Sequence, residues 1–302
     1  IQVVRGESKI TGDDYYFDLR TFLKFMKMHK QNITDTAFEK IDITDIDIDF
    51  IRTITLSDIY EFLFYLENVR KNSVRSRSRR ISCLRTFFKY LTSKVNLLSN
   101  NPMEELDSPS LPKSLPKYLS LEDSVKLLES AAGAGQQRDY AILTIFLNCG
   151  LRLSELVGLN VSDIRGEFIT VNGKGSKQRS IYLNEACRDA INAYLAVRPM
   201  DGLKDKDALF ISRNKNRISP KTVQWLVKKH LSAAGLADQN LSTHKLRHTA
   251  ATLMHRHGNV DIRVLQEILG HENLGTTQIY THIDSEQIKE AAQSNPLSKI
   301  KK

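Results

Sequence analysis

Residues 167–183 read EFITVNGKGSKQRSIYL. Phe168, Ile169 and Val171 stand just before Asn172-Gly173, and Ile181 and Leu183 follow Arg179. Two apolar runs separated by an Asn-Gly pair predict a β-hairpin, because both residues tolerate the positive φ of its tight turn. Lys174 falls at the tip or on the second strand. The remainder of the chain reads as helices, so the expected fold is mostly α with a small β-sheet.

Downstream, helical spacing recurs over 185–197, 220–234, 245–257 and 261–269. Upstream, Ser120 is a candidate N-cap with Asp123 three residues later, and 139–149 is apolar enough for a buried helix. The first hundred residues read as a helical domain. The stretch 14–29 carries Tyr16, Leu19, Phe22, Leu23 and Met26 at helical spacing, and 35–49 is acidic and loop-like. A helix over 57–70 is expected with Ser57 as N-cap, its apolar face built by Leu56, Ile59, Leu63 and Leu66. Another, over 73–94, has the stripe Ile81, Leu84, Phe88, Leu91 and Val95. Pro102, Pro109, Pro112 and Pro116 then break the pattern. The expected organisation is a helical domain over 1–106, a linker over 107–118 and a mixed α/β domain over 119–302.

The chain has 302 residues, a formal net charge of +9 and 26% charged residues, which favours a polyanionic partner. The asymmetry is local: from Arg70 to Lys94 there are nine Lys/Arg and no Asp/Glu. A helix with one apolar and one basic face can pack on a core while offering cations to phosphates. Arg75, Arg77, Arg80 and Arg85 are its candidate DNA contacts, joined by Lys177 and Arg179 of the hairpin. Cys83, Cys149 and Cys187 are widely separated in sequence and read as buried free thiols of a reducing cytoplasm. The first residues are polar rather than signal-like, and no run approaches the length of a membrane span.

Chemistry concentrates in the second half, where Arg152, Lys174, His244, Arg247, His271 and Tyr280 occur in that order. Two arginines can hold the non-bridging oxygens of a phosphodiester and neutralise charge developing on phosphorus. A tyrosine can attack, with a histidine or lysine handling protons. Glu155, three residues after Arg152, is suited to hold that guanidinium. His244 and His248 are four apart, but HKLRH lacks the glutamate of a zinc-protease motif and adds two cations, so no metal site is expected.

The strings Gly150-Leu-Arg-Leu-Ser-Glu155, Asn172-Gly-Lys-Gly175, His244-Lys-Leu-Arg-His248, Leu269-Gly-His271 and Tyr280-Thr-His282 together resemble the tyrosine recombinase (phage integrase) family. The resemblance implies a core-binding (SAM-like) helical domain and a catalytic domain that clamp double-stranded DNA. It implies that Tyr280 forms a 3′-phosphotyrosyl link and that Lys174 protonates the leaving 5′ oxygen. His271 would hydrogen-bond the phosphate, and neither metal, ATP nor other cofactor would be needed. It further implies self-association into a tetramer on synapsed DNA, with a C-terminal tail helix from Asp284 onward docking on a neighbouring protomer. The size is Xer-like, leaving open dimer resolution, mobile-element integration or excision, and a second related recombinase as partner. A catalytically silent DNA-binding regulator and a type IB topoisomerase are the rival readings. Strand exchange between two short duplexes separates them from a recombinase.

Overall fold

The computed structural model describes residues 9–107, 117–173, 178–239, 241–258, 260–269 and 293–299. The chain divides into two compact units, Ile1–Ser114 and Leu115–Lys302. Among the described residues no helix is long and apolar enough to cross a membrane.

The first unit is helical: α1 (Lys9–Lys30), α2 (Ile48–Arg52), α3 (Leu56–Asn68) and α4 (Val74–Ser93). Its core is anchored by three fully buried rings, one from each long helix. Phe22 meets Phe62 and Phe88 edge-on, with centroids 5.2 and 6.0 Å apart, the geometry that aromatic quadrupoles favour. The cap of α3 is Thr55 rather than Ser57. Thr55 accepts the Asp58 N–H while the Asp58 carboxylate accepts the Thr55 N–H, a reciprocal capping box. In α4 the predicted stripe Ile81, Leu84, Phe88 and Leu91 is buried, with Ser73 as cap. Val95 falls beyond the helix and is exposed, and Tyr16 of α1 is 61% exposed. The acidic 35–49 segment is not wholly irregular, since it contains a 3-10 turn at Phe38–Lys40 and the start of α2.

The second unit follows the expected order: α5 (Leu121–Glu129), α6 (Gln137–Cys149), α7 (Leu153–Gly158), β1 (Ile164–Arg165), β2 (Phe168–Asn172), β3 (Gln178–Tyr182), α8 (Glu185–Val197), α9 (Pro220–Ala233), α10 (Thr243–Gly258) and α11 (Ile262–Leu269). Helix α6 is buried continuously from Ala141 to Cys149 and packs against α8 and α10. It ends at Gly150, whose φ of 60° is left-handed. An added Cβ there would lie 2.7 Å from Leu269 Cδ2, so this turn needs glycine for conformation and for space. The three strands are antiparallel in the order β1-β2-β3, pairing Ile169 with Ile181 and Val171 with Arg179. Paired residues share a face, and Ile169, Val171 and Ile181 are buried; Arg179 therefore faces the core.

All three cysteines are free and buried. Far apart in sequence, Cys149 and Cys187 nonetheless bring their sulfurs to 3.7 Å. Burial first, then the nearby Asp18 charge, pushes the Cys83 thiol up to about 12. The prolines of 108–116 and the expected tail helix over 284–292 lie outside the described residues. The last described segment, 293–299, packs on its own unit. Leu297 is fully buried in the core, and Asn295 Nδ2 donates to the Leu147 carbonyl at 3.0 Å.

In the first unit Asp18, 3% exposed, accepts from Arg79 at 2.8 Å and from Arg80 at 3.1 Å. Removing one partner of a buried pair strands the other's charge. Asp18→Ala should therefore destabilise this unit by about 3 kcal/mol. Hydrogen exchange should rise over residues 9–107 and stay unchanged in the second unit.

Candidate active site

The site begins where α6 stops. Gly150 reverses the chain, Arg152 becomes the N-cap of α7, and Glu155 falls at its third position. There Glu155 Oε2 accepts the Arg152 backbone N–H at 2.7 Å, while Oε1 accepts Arg152 Nη1 at 2.7 Å. The ion pair and the phosphate-facing role weighed for Arg152 are thus compatible, because the pair holds a side chain that stays 39% exposed.

Two more arginines converge on the same carboxylate. Arg179 reaches from β3 with a two-pronged fork, Nη1 to Oε1 at 2.7 Å and Nη2 to Oε2 at 3.0 Å. Arg247 sits on the buried face of α10 with Nη1 3.9 Å from Oε2. Nη1 also donates to the Gly150 carbonyl at 2.7 Å, and Nη2 donates to the Leu269 carbonyl. One carboxylate against three guanidiniums leaves two positive charges in excess. Burial pushes the Glu155 pKa up, but hydrogen bonds from Arg179 and the Arg152 N–H outweigh it and hold the group at about 2. Burial first, then repulsion from Arg152, lowers Arg247 to about 10 against the pull of Glu155. An arginine under that stress gains from an added anion, and a phosphate is one.

Arg247 and His244 do not share an environment, although they lie one turn apart. Arg247 is 3% exposed, whereas His244 is on the exposed side. His244 Nε2 lies 3.1 Å from His248 Nε2, with the rings edge-on. Burial, and then the charges of His244 and Arg247, lower the His248 pKa. His248 is therefore part of this corner rather than a plain surface residue. Among the described residues no group of three or more His, Cys, Asp or Glu could hold a metal. Lys174, Lys177, His271 and Tyr280 lie outside the described residues. In the sequence His271 follows Leu269 after one glycine, and Arg247 holds the Leu269 carbonyl.

The other DNA-contact candidates divide. Arg75 is exposed and makes no ion pair among the described residues. Arg77 pairs with Glu67 at 2.6 Å, and Arg80 with Asp18 and Asn72. Arg85 donates to the Leu106 carbonyl. The basic face of α4 is thus partly internal scaffolding, because acidic partners from α1 and α3 fold onto it. Arg179 is likewise no free hairpin cation. The alternation Arg179, Ile181, Leu183 carried that signal, since period two puts all three on one face. Helix α9, expected from its spacing, also presents a basic exposed side that the spacing alone does not single out: Lys221, Trp225, Lys228 and Lys229.

Residues 117–287 match the phage integrase family. The chain is 53% identical to the tyrosine recombinase XerC of Caldanaerobacter subterraneus subsp. tengcongensis over 98% of its own length and 84% of that protein. It is 32% identical to the tyrosine recombinase XerD of Oceanobacillus iheyensis, over 97% and 94%. Among solved structures, XerH site-specific recombinase bound to difH substrate in a pre-cleavage complex is similar. That match has a TM-score of 0.60 and 25% identity, covering 80% of this chain and 71% of that one.

Glu155 has a folded pKa of about 2 against an ordinary 4.5. Its contribution is present above pH 4.5 and lost as pH falls toward 2, and is worth roughly 3 kcal/mol. Glu155→Gln should lose most of this at pH 7 and flatten the loss of stability between pH 4.5 and 2. Denaturant unfolding of both proteins at several pH values checks it.

Proposed function

The chain belongs to the phage integrase family of tyrosine recombinases, and on that premise we propose that the cluster around Glu155 grips the scissile phosphate of a DNA strand while Tyr280 attacks it. The protein is a site-specific DNA recombinase. In this reading the Tyr280 phenol passes its proton to a histidine of the site as its oxygen bonds to phosphorus. The bond from phosphorus to the 5′ oxygen breaks, and Lys174 gives that oxygen a proton. Arg152 and Arg247 neutralise the non-bridging oxygens, with His244 and His271 as further donors. The phosphotyrosyl link keeps the diester's energy, so a second 5′-hydroxyl can reverse the step and exchange strands.

The observation that carries this reading is the three-arginine cluster with two charges in excess, built at the head of the segment that leads to His271 and Tyr280. The chain acts on double-stranded DNA as a self-associating enzyme. We assign it a tetramer on synapsed DNA, the assembly in which lambda integrase binds a Holliday junction. In this reading the enzyme works in the cytoplasm on dimer resolution rather than mobile-element transfer, with a second related recombinase as partner. Phosphate contacts are assigned to Arg75 and Lys177, and to Lys221, Lys228 and Lys229 of α9. Arg77, Arg80 and Arg85 are assigned to holding α4 in place.

The target site can be found by footprinting DNA that flanks the gene. On a nicked suicide duplex carrying it, Tyr280→Phe should bind normally and form no covalent adduct. Arg247→Ala should lose cleavage by at least ~10²-fold. Adduct formation by Tyr280→Phe would place the nucleophile elsewhere.

Binding should weaken steeply with salt. Removing Arg75 together with Lys228 and Lys229 should flatten the log–log slope by roughly 0.9 per lost contact. Arg77→Ala should chiefly lower the stability of the first unit. Filter binding across a salt series, beside thermal melts, distinguishes the two effects.

A further inference from the structure

Arg179 belongs to the cluster by geometry, yet the cleavage step above gives it no task. It faces the core from β3, opposite Val171, and its side chain is 17% exposed. The fork takes both Glu155 oxygens, and Nε donates to the Ile268 carbonyl at 3.2 Å. One guanidinium therefore joins three elements: the second hairpin strand, the start of α7 and the end of α11.

We propose that Arg179 is a positioning residue for cleavage, fixing the plane of the Glu155 carboxylate so that Arg152 is presented to the phosphate. The physical case rests on what each group can hold. Arg152 is long and 39% exposed, and keeping such a side chain in one rotamer costs conformational entropy. Glu155 restrains it, since Oε1 receives Arg152 Nη1 and Arg179 Nη1 together. A carboxylate can swing about its last torsion, whereas one gripped by a planar fork on both oxygens cannot. Arg179 thus sets where Oε1 points, and Oε1 sets where Arg152 points. The bond to Ile268 makes the same guanidinium a brace on the last turn of α11, where carbonyls lack helical partners and favour a cation. Arg247 holds the next carbonyl, that of Leu269. Both arms of the phosphate grip are thus referenced to one fixed group.

This inference rests on the assignment of Arg152 to the scissile phosphate, and its test separates the two. Full-length wild type, Arg152→Ala, Arg179→Gln and Arg179→Lys are compared on the footprinted site in two forms. One carries the ordinary scissile phosphate. The other carries a methylphosphonate there, which lacks one of the charges that an arginine neutralises. On the phosphate, Arg152→Ala and Arg179→Gln should both cleave about 10²-fold slower than wild type, with unchanged DNA affinity. Arg179→Lys keeps the charge but loses the fork, and should fall between. On the methylphosphonate both slow variants should return to within roughly fivefold of wild type, since the missing function is charge neutralisation.

A merely structural Arg179 would slow both substrates alike. Arg152→Ala rescued while Arg179→Gln is not would therefore overturn the inference and leave the clamp standing. Failure to rescue Arg152→Ala would overturn the clamp, and the inference with it. If Arg179→Gln does not fold, Arg179→Lys carries the comparison; wild-type rates for it on the phosphate would equally overturn the proposal.

Discussion

A single buried carboxylate surrounded by three guanidiniums is the constraint on which the catalytic unit is built. Glu155 has a side chain 1% exposed, and Arg247 one 4% exposed. Neither charge would be tolerable there alone, because desolvation outweighs what one surface partner returns. Together they are stable, and the imbalance of charge leaves the cluster suited to an anion from outside. The fold supplies each member from a different element. The left-handed turn at Gly150 delivers Arg152 and an acceptor for Arg247, α7 delivers Glu155, β3 delivers Arg179 and α10 delivers Arg247.

Most of this was legible in the sequence. Helical spacing and the hairpin's two apolar runs give nearly every element of the second unit, although Asn172 is a strand residue paired with Gln178 rather than part of the turn, and the order of Arg152, Glu155 and Arg247 points to the candidate site. What escaped is instructive. Ser57 and Thr55 are both good caps, and the reciprocal carboxylate at Asp58 decides between them. The charge of Arg179 suggests a surface hairpin cation, although its two-residue spacing from Ile181 places it inward. The 3.7 Å approach of Cys149 and Cys187 comes from the packing of α6 against α8, and no spacing along one chain encodes it.

The basic helix α4 carries a similar lesson. A run of nine cations without an anion looks like a uniform binding face when read linearly. In three dimensions Glu67 and Asp18 arrive from other helices and bind Arg77, Arg79 and Arg80. Local charge density measures what a segment needs from its surroundings as much as what it offers to a ligand. In this unit the aromatic core and the internal ion pairs orient α4, leaving Arg75 to face outward.

Trp225 is the chain's one tryptophan. Its indole is 64% exposed on α9, with Lys229 Nζ 5.9 Å from the ring centroid. The protein's intrinsic indole emission therefore originates at one spot, on the lysine-rich side of one helix. A polyanion drawn to those lysines enters the immediate surroundings of the fluorophore. The molecule carries its own optical reporter, already placed on a lysine-rich face, with no label to attach.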